Sequence, residues 1–315
     1  MSENKKKLQV IFMGTPEFSA DILTSLLEAE YNIVGVFTQA DKKVGRKQTI
    51  EKSPVRLVAE KNNLPVFTPK KLDEAALIEI QNLKADLIIL VAYGKILPQT
   101  VLSAPRLGAI NIHPSLLPKF RGPSPIQNAL LAGNKITGTT IMLMDAGVDT
   151  GDILRQKEIV IAQNETYLEL AQKLDTLSSQ LLLETLPDFL AGKIVPQKQD
   201  DVQTSYCQII KKTDGQINWH DSAENIYNKY RAFFNWPGIF TIWNGKRLKL
   251  NKINFISDNS SVYAIGEVFR IDDIIYVQAE AGWIELIEIQ LEGKPSTKIF
   301  SFVNGHKNFV GSKLI

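Results

Sequence analysis

LQVIFMGTPEFSADILTSLLEAE, residues 8–30, decides the fold. Its first seven residues form an apolar run rich in branched side chains, and Pro16 then opens a helical pattern. Runs of the same kind recur as NIVGVFT (32–38), ADLIILVAYG (85–94) and GAINIH (108–113). Each is short, rich in Val and Ile and free of polar alternation, as strands buried on both faces are. Helical stretches lie between them. Ser53-Pro54 opens SPVRLVAEKNN, and Ser124-Pro125 precedes IQNALLAG with Gly133 as its stop. Strand alternating with helix predicts a mainly parallel, Rossmann-like α/β sheet covered on both sides.

TGTTIMLMD (137–145) and ILRQKEIVI (153–161) add two strands around the turn AGVDTGD, followed by a long helix from about 165 to 191 that stops at Gly192. Residues 1–191 therefore read as one domain. GKIVPQKQDDVQTSYCQII (192–210) is polar and weakly periodic, as a linker would be. Beyond it the pattern changes. One helix, DSAENIYNKYRAF, carries a capping-box pattern of Asp221 and Glu224, and five short alternating strands follow. Residues 211–315 are expected to form a small OB-like antiparallel barrel.

A chain of 315 residues accommodates two such domains. With 44% hydrophobic and 22% charged residues and no run of about 18 apolar residues, it reads as a soluble globular protein without a membrane span. The lone Cys207 excludes an intramolecular disulfide or a multi-cysteine zinc site and suits a reducing compartment, so cytoplasm is expected. No pair of histidines has metal-ligand spacing, and no metal is expected. The 36 basic and 34 acidic residues nearly cancel, yet residues 41–56 hold six basic side chains against two acidic ones. That segment suits an anionic partner.

GTPEF after the first strand lacks the glycine pattern of a dinucleotide site, and no phosphate-loop motif occurs, which weakens NAD and ATP as cofactors. Ligands of open parallel sheets sit at the carboxyl ends of the strands. GAINIHPSLLP places Asn111 and His113 at such an end, two residues apart and thus on one side of the strand. Pro114 and Pro118 stiffen the exit. An amide beside an imidazole gives donors suited to a developing oxyanion, and Asp149, in a Gly-flanked turn, is the candidate to orient the histidine. A histidine beside a proline serves equally well as a turn residue, and Asp145, Asp149 and Asp152 equally well as turn formers. His220 and His306 read as surface residues.

NIHPSLLPKFRGPSPI followed by MDAGVDTGDIL resembles the signature of the folate-dependent formyltransferases. The resemblance implies Asn111, His113 and Asp149 as the catalytic triad. VIFMGTPEFSADIL, VGVFTQADKKVGR, VAYGKILP and KKTDGQINW extend it over nearly the whole chain and resemble the branch that acts on an aminoacyl-tRNA. By that resemblance the donor is 10-formyltetrahydrofolate and the acceptor the α-amine of initiator methionyl-tRNA, with no metal. A nucleotide-sugar amine is the alternative acceptor. The folate pocket implied comprises Tyr93, Gly94, Ile96, Leu97, Ser115, Leu116, Leu117 and Pro118, although ordinary core packing explains the apolar members as well. The tRNA contacts implied are Lys42, Lys43, Arg46 and Lys47 in a basic loop at 39–52, then Lys211 and Lys212, with Lys246, Arg247 and Lys249 as a weaker extension. A monomer is expected, because no long apolar seam is left uncovered.

Overall fold

In the computed structural model, which describes residues 7–44, 48–257 and 263–315, each of the four apolar runs is a strand. The first unit carries a seven-stranded sheet built from β1 (Gln9–Gly14), β2 (Asn32–Phe37), β5 (Val66–Phe67), β6 (Leu87–Val91), β7 (Ala109–His113), β8 (Ile136–Leu143) and β9 (Ile153–Val160). Two further strands, β3 (Lys42–Val44) and β4 (Thr49–Glu51), pair only with each other. The sheet order is β5-β2-β1-β6-β7-β8-β9, parallel through β7 and antiparallel at β8 and β9. The order therefore reverses between β1 and β6, and the crevice such a reversal leaves lies at the carboxyl ends of the strands.

Successive strand residues fall into different cores. Val10, Phe12, Leu87, Ile89, Ile110 and Ile112 belong to one buried cluster, and Ile11, Met13, Ile88, Leu90 and Ala109 to the other. This two-sided burial is why the runs show no polar alternation. The helices are α1 (Glu17–Glu28), α2 (Pro54–Lys61), α3 (Glu74–Asn82), α4 (Gln99–Leu102), α5 (Pro125–Leu131) and α6 (Tyr167–Leu190). Ser53 caps α2 by accepting from the Arg56 amide, as the Ser-Pro signal anticipates. Helix α3, not anticipated above, is capped by Asp73.

The chain divides into a first unit of residues 1–125, 136–160 and 171–208 and a second of 126–135, 161–170 and 209–315. Part of the stretch expected as a linker is thus built into the first unit. Gln197 bridges Ile153 antiparallel, and the Cys207 amide donates to the Arg121 carbonyl at 2.8 Å.

The second unit holds α7 (Ala223–Ala232) and the antiparallel strands β10 (Ile239–Trp243), β11 (Lys246–Ile256), β12 (Val268–Ile271), β13 (Ile274–Gln278) and β14 (Trp283–Leu291). Their order is β10-β11-β14-β13-β12, with β15 (Thr297–Lys298) on β14, followed by α8 (Ile299–Gly305). Residues 311–315 close this sheet into a small barrel: Val268 donates to Ser312 and Gly311 to Val268 on the β12 edge, while Ile315 exchanges both bonds with Ile242 on β10. Two readings are corrected here. The cap of α7 is Ser222, which accepts from the Asn225 amide, so the helix starts one residue later than an Asp221 cap requires. His306 is half-buried, stacked on Phe302 with centroids 4.2 Å apart and edge-on to Trp243, where the apolar face of an imidazole packs as an aromatic ring.

Candidate active site

Strand β7 puts Ala109, Asn111 and His113 on one face, and the last two are buried at the carboxyl end of the strand. Asp149 approaches from the turn between β8 and β9. That turn is tight: a Cβ on Gly151 would collide with the Leu143 carbonyl, and Asp149 itself takes a φ of +54°, a region aspartate tolerates better than most residues. Asp145 holds the other limb by accepting from the Gly147 amide at 3.0 Å and the Thr150 hydroxyl at 2.6 Å.

The three side chains meet. Asn111 Nδ2 donates to Asp149 Oδ1 at 3.2 Å, the Gly122 amide donates to Asp149 Oδ2 at 2.8 Å, and His113 Nδ1 lies 3.6 Å from the same Oδ2. His113 Nε2 is 2.9 Å from the Phe120 carbonyl. A carbonyl only accepts, so Nε2 carries the proton and Nδ1 is the ring atom on the Asp149 side. Gly122 reaches the carboxylate because its φ of +112° and its contact with the Cys207 carbonyl leave no room for a side chain. The Cys207 thiol is pushed up by burial and further by the charge of Asp149.

Sequence alone did not single out Gln199 and Arg121, which hold this turn. Gln199 Nε2 donates to the Asp149 carbonyl at 2.9 Å and to the Gly151 carbonyl at 2.8 Å. Arg121 in turn donates to Gln199 Oε1 from Nε at 3.0 Å and Nη2 at 2.8 Å, and to Asp201 at 3.0 Å. A buried arginine had one legible signal, its place in KFRGP between two prolines; Gln199 had none. A cavity of about 600 Å³ takes in Arg121 and Gln199 but not Asn111, His113 or Asp149.

The residues implied for folate fall into two groups with different packing partners. Tyr93 and Leu97 lie in the core cluster with Ile11 and Met13. The Tyr93 hydroxyl has no hydrogen-bond partner among the described residues, and burial pushes it up to about 12. Ser115, Leu116 and Leu117 pack instead on β8 and β9: Thr140 Oγ1 donates to the Ser115 carbonyl, Gln156 donates to the Leu117 carbonyl, and Leu116 fills the space over Gly138. A ligand entering from solvent would meet Gly94, Ile96, Leu116 and Pro118 first, since Tyr93, Leu97, Ser115 and Leu117 are buried.

Of the implied tRNA contacts, Arg46 and Lys47 lie outside the described residues. Lys42 and Lys43 are exposed on β3, so what reads as a loop is a hairpin in which Lys42 faces Glu51. Two other cations of the segment are spent internally: Lys52 pairs with Glu60 at 2.7 Å, and Arg56 with Asp41 at 3.0 Å and Glu60 at 2.8 Å. Lys211 and Lys212 are exposed on a 3-10 turn whose Gly215 packs on the Gly238 carbonyl. Arg247 lies over the Phe240 ring at 4.0 Å, and its strand neighbour Lys249, two residues on, shares that outer face.

Among the described residues no helix is long and apolar enough to cross a membrane, and no cluster of His, Cys, Asp and Glu could hold a metal. The chain is 45% identical over 305 residues to the methionyl-tRNA formyltransferase of Caldicellulosiruptor saccharolyticus, covering 95% of this chain and 97% of that one. It is 43% identical over 312 residues to the enzyme of the same name from Campylobacter curvus, covering 98% and 100%. Among solved structures, an N-formyltransferase from Helicobacter canadensis in complex with folinic acid and dTDP-3-aminofucose superposes with a TM-score of 0.67 at 20% identity, covering 89% of this chain and 98% of that one, a likeness of fold. The formyl transferase model matches residues 6–186 and its C-terminal domain model matches 209–307, and the chain belongs to the formyl transferase family.

Proposed function

We propose that this chain transfers a formyl group from 10-formyltetrahydrofolate to the α-amine of methionine on initiator tRNA. The observation that carries the reaction is the Asp149 carboxylate, which accepts from Asn111 and Gly122 and faces His113 at 3.6 Å. Similarity over nearly the full length to proteins named methionyl-tRNA formyltransferase supports the acceptor. An α-amine has a reference pKa of about 8, so much of it must lose a proton before it attacks.

The folate brings a formyl group on nitrogen; the chain does the rest. As the amine adds to the formyl carbon, His113 Nδ1 takes the amine proton, and Asp149 Oδ2 supports the imidazolium. Asn111 spends one N–H on Asp149 and keeps its second for the oxyanion that builds on the formyl oxygen. Collapse breaks the bond to the donor nitrogen, which recovers the proton from His113, giving the formylated aminoacyl-tRNA and tetrahydrofolate. Ile96 and Val148, 81% and 55% exposed, are apolar side chains left at the surface of loops after β6 and before Asp149, and they suit the flat faces of a folate ring.

In this reading catalysis lies in 1–191 and the barrel of 211–315 serves the tRNA, with Lys42, Lys43, Lys211 and Lys212 on phosphates and Arg46 and Lys47 assigned the same role by resemblance. The protein acts as a cytoplasmic monomer. Mass spectrometry of methionine recovered from charged initiator tRNA after incubation with protein and donor tests the proposal. One added formyl group per methionine supports it; unmodified methionine with the donor intact overturns it.

A further inference from the structure

We infer that Gln199 is a positioning residue for the reaction, locking the Asp149 turn in register with His113 through a bracket anchored on Arg121. The inference rests on the proposed role of Asp149. The side-chain amide of Gln199 spans the turn, donating to the carbonyls of Asp149 and Gly151 at 2.9 and 2.8 Å. Both of its protons are thereby used. Its oxygen is held by two donors of one guanidinium, at 3.0 and 2.8 Å, so the amide cannot rotate without breaking four hydrogen bonds.

Arg121 is itself buried, with its side chain 3% exposed, and its carbonyl and amide are fixed by Cys207 and Ser205. The next residue, Gly122, delivers the 2.8 Å bond to the Asp149 carboxylate. Residues 121–122 thus grip Asp149 twice: directly at the carboxylate, and through Gln199 at the backbone. This arrangement fixes the separation of Oδ2 from His113 Nδ1 independently of any ligand. A glutamine is suited to the place because it offers donors to two carbonyls and an acceptor to a cation in one planar group; a carboxylate offers only the second.

The test is Gln199→Met, which keeps length and packing but removes the amide. The expected result is a fall in kcat of about 10- to 100-fold, the scale of a displaced catalytic group, with KM for donor and tRNA within about twofold of the parent. Gln199→Glu is the second variant. It retains the pairing with Arg121, hence the fold, but sets an oxygen against the two carbonyls, and it must lose kcat to a similar degree. The chain has three histidines, so the imidazole nitrogen resonances of His113 can be followed without substrate. In both variants that signal must move while those of His220 and His306 stay. Parental kcat in Gln199→Glu, a rise in KM with kcat unchanged, or an unmoved His113 signal overturns the inference. If the parent forms no formyl-methionine, the proposed function fails, and Gln199 is then judged on the His113 signal alone.

Discussion

Replacing Asp149 with asparagine changes one atom and removes one charge. In the parent, Oδ1 accepts from Asn111 at 3.2 Å and Oδ2 from Gly122 at 2.8 Å. An amide presents one oxygen, so either orientation turns an NH2 group against one donor. Leaving that donor unpaired costs about 1–3 kcal/mol of stability. The catalytic cost is larger. A unit charge on His113 at 3.6 Å from Oδ2, in a site where the two side chains are 5% and 15% exposed, interacts with the carboxylate by about 4.6 kcal/mol at an effective dielectric near 20. Loss of that term from the transition state slows the chemical step by about 10³-fold, at 1.36 kcal/mol per decade. Single-turnover formylation at saturating donor and tRNA isolates the step, with urea unfolding alongside. A rate within tenfold of the parent would refute the ion-pair argument.

Three further outcomes follow from other parts of the molecule. Asp175, pushed up to about 8 by burial and then by Asp21 and Glu17, binds a proton in the folded state that the unfolded chain has released above about pH 4. Stability should therefore decline as pH rises from about 4 to about 8, and Asp175→Asn should gain on the parent across that window; parallel urea midpoints from pH 5 to pH 9 would contradict this. Ser222→Ala should destabilise by about 1 kcal/mol through loss of the α7 cap, while Asp221→Ala changes little; the reverse ranking in thermal melts would return the cap to Asp221. Lys211→Ala with Lys212→Ala should weaken tRNA binding and lower the salt slope by about 2, without changing kcat; an unaltered slope would remove both from the tRNA contact.

Where local chemistry sets structure, the sequence was legible. Val- and Ile-rich runs marked the strands because both sheet faces are buried, and Ser53-Pro54 marked a helix start because its hydroxyl meets the Arg56 amide three residues on. Asn111 and His113 could be paired by the two-residue repeat of a strand, and Asp149 by its turn and a family likeness. Gln199 could not, since its partners Asp149 and Arg121 are 50 and 78 residues away and its neighbours are polar. A polar stretch ordered by distant hydrogen bonds has the composition of a linker. The same limit explains the folate set, where Leu117 and Leu97 satisfy an apolar wall and a core equally, and the structure buries both.

The two units do not follow one another along the chain; the boundary is crossed at 125/126, 135/136, 160/161, 170/171 and 208/209. During vectorial synthesis residues 126–135 and 161–170 therefore emerge ahead of the 209–315 segment to which they belong. Ile126, Leu130, Ile161 and Leu170, all buried in the finished fold, must wait for it. At about 5–20 residues per second the first of these segments waits about 10 to 35 seconds for its unit to be completed. Chain order, more than hydrophobicity, sets how long a nascent copy is open to aggregation or chaperone capture.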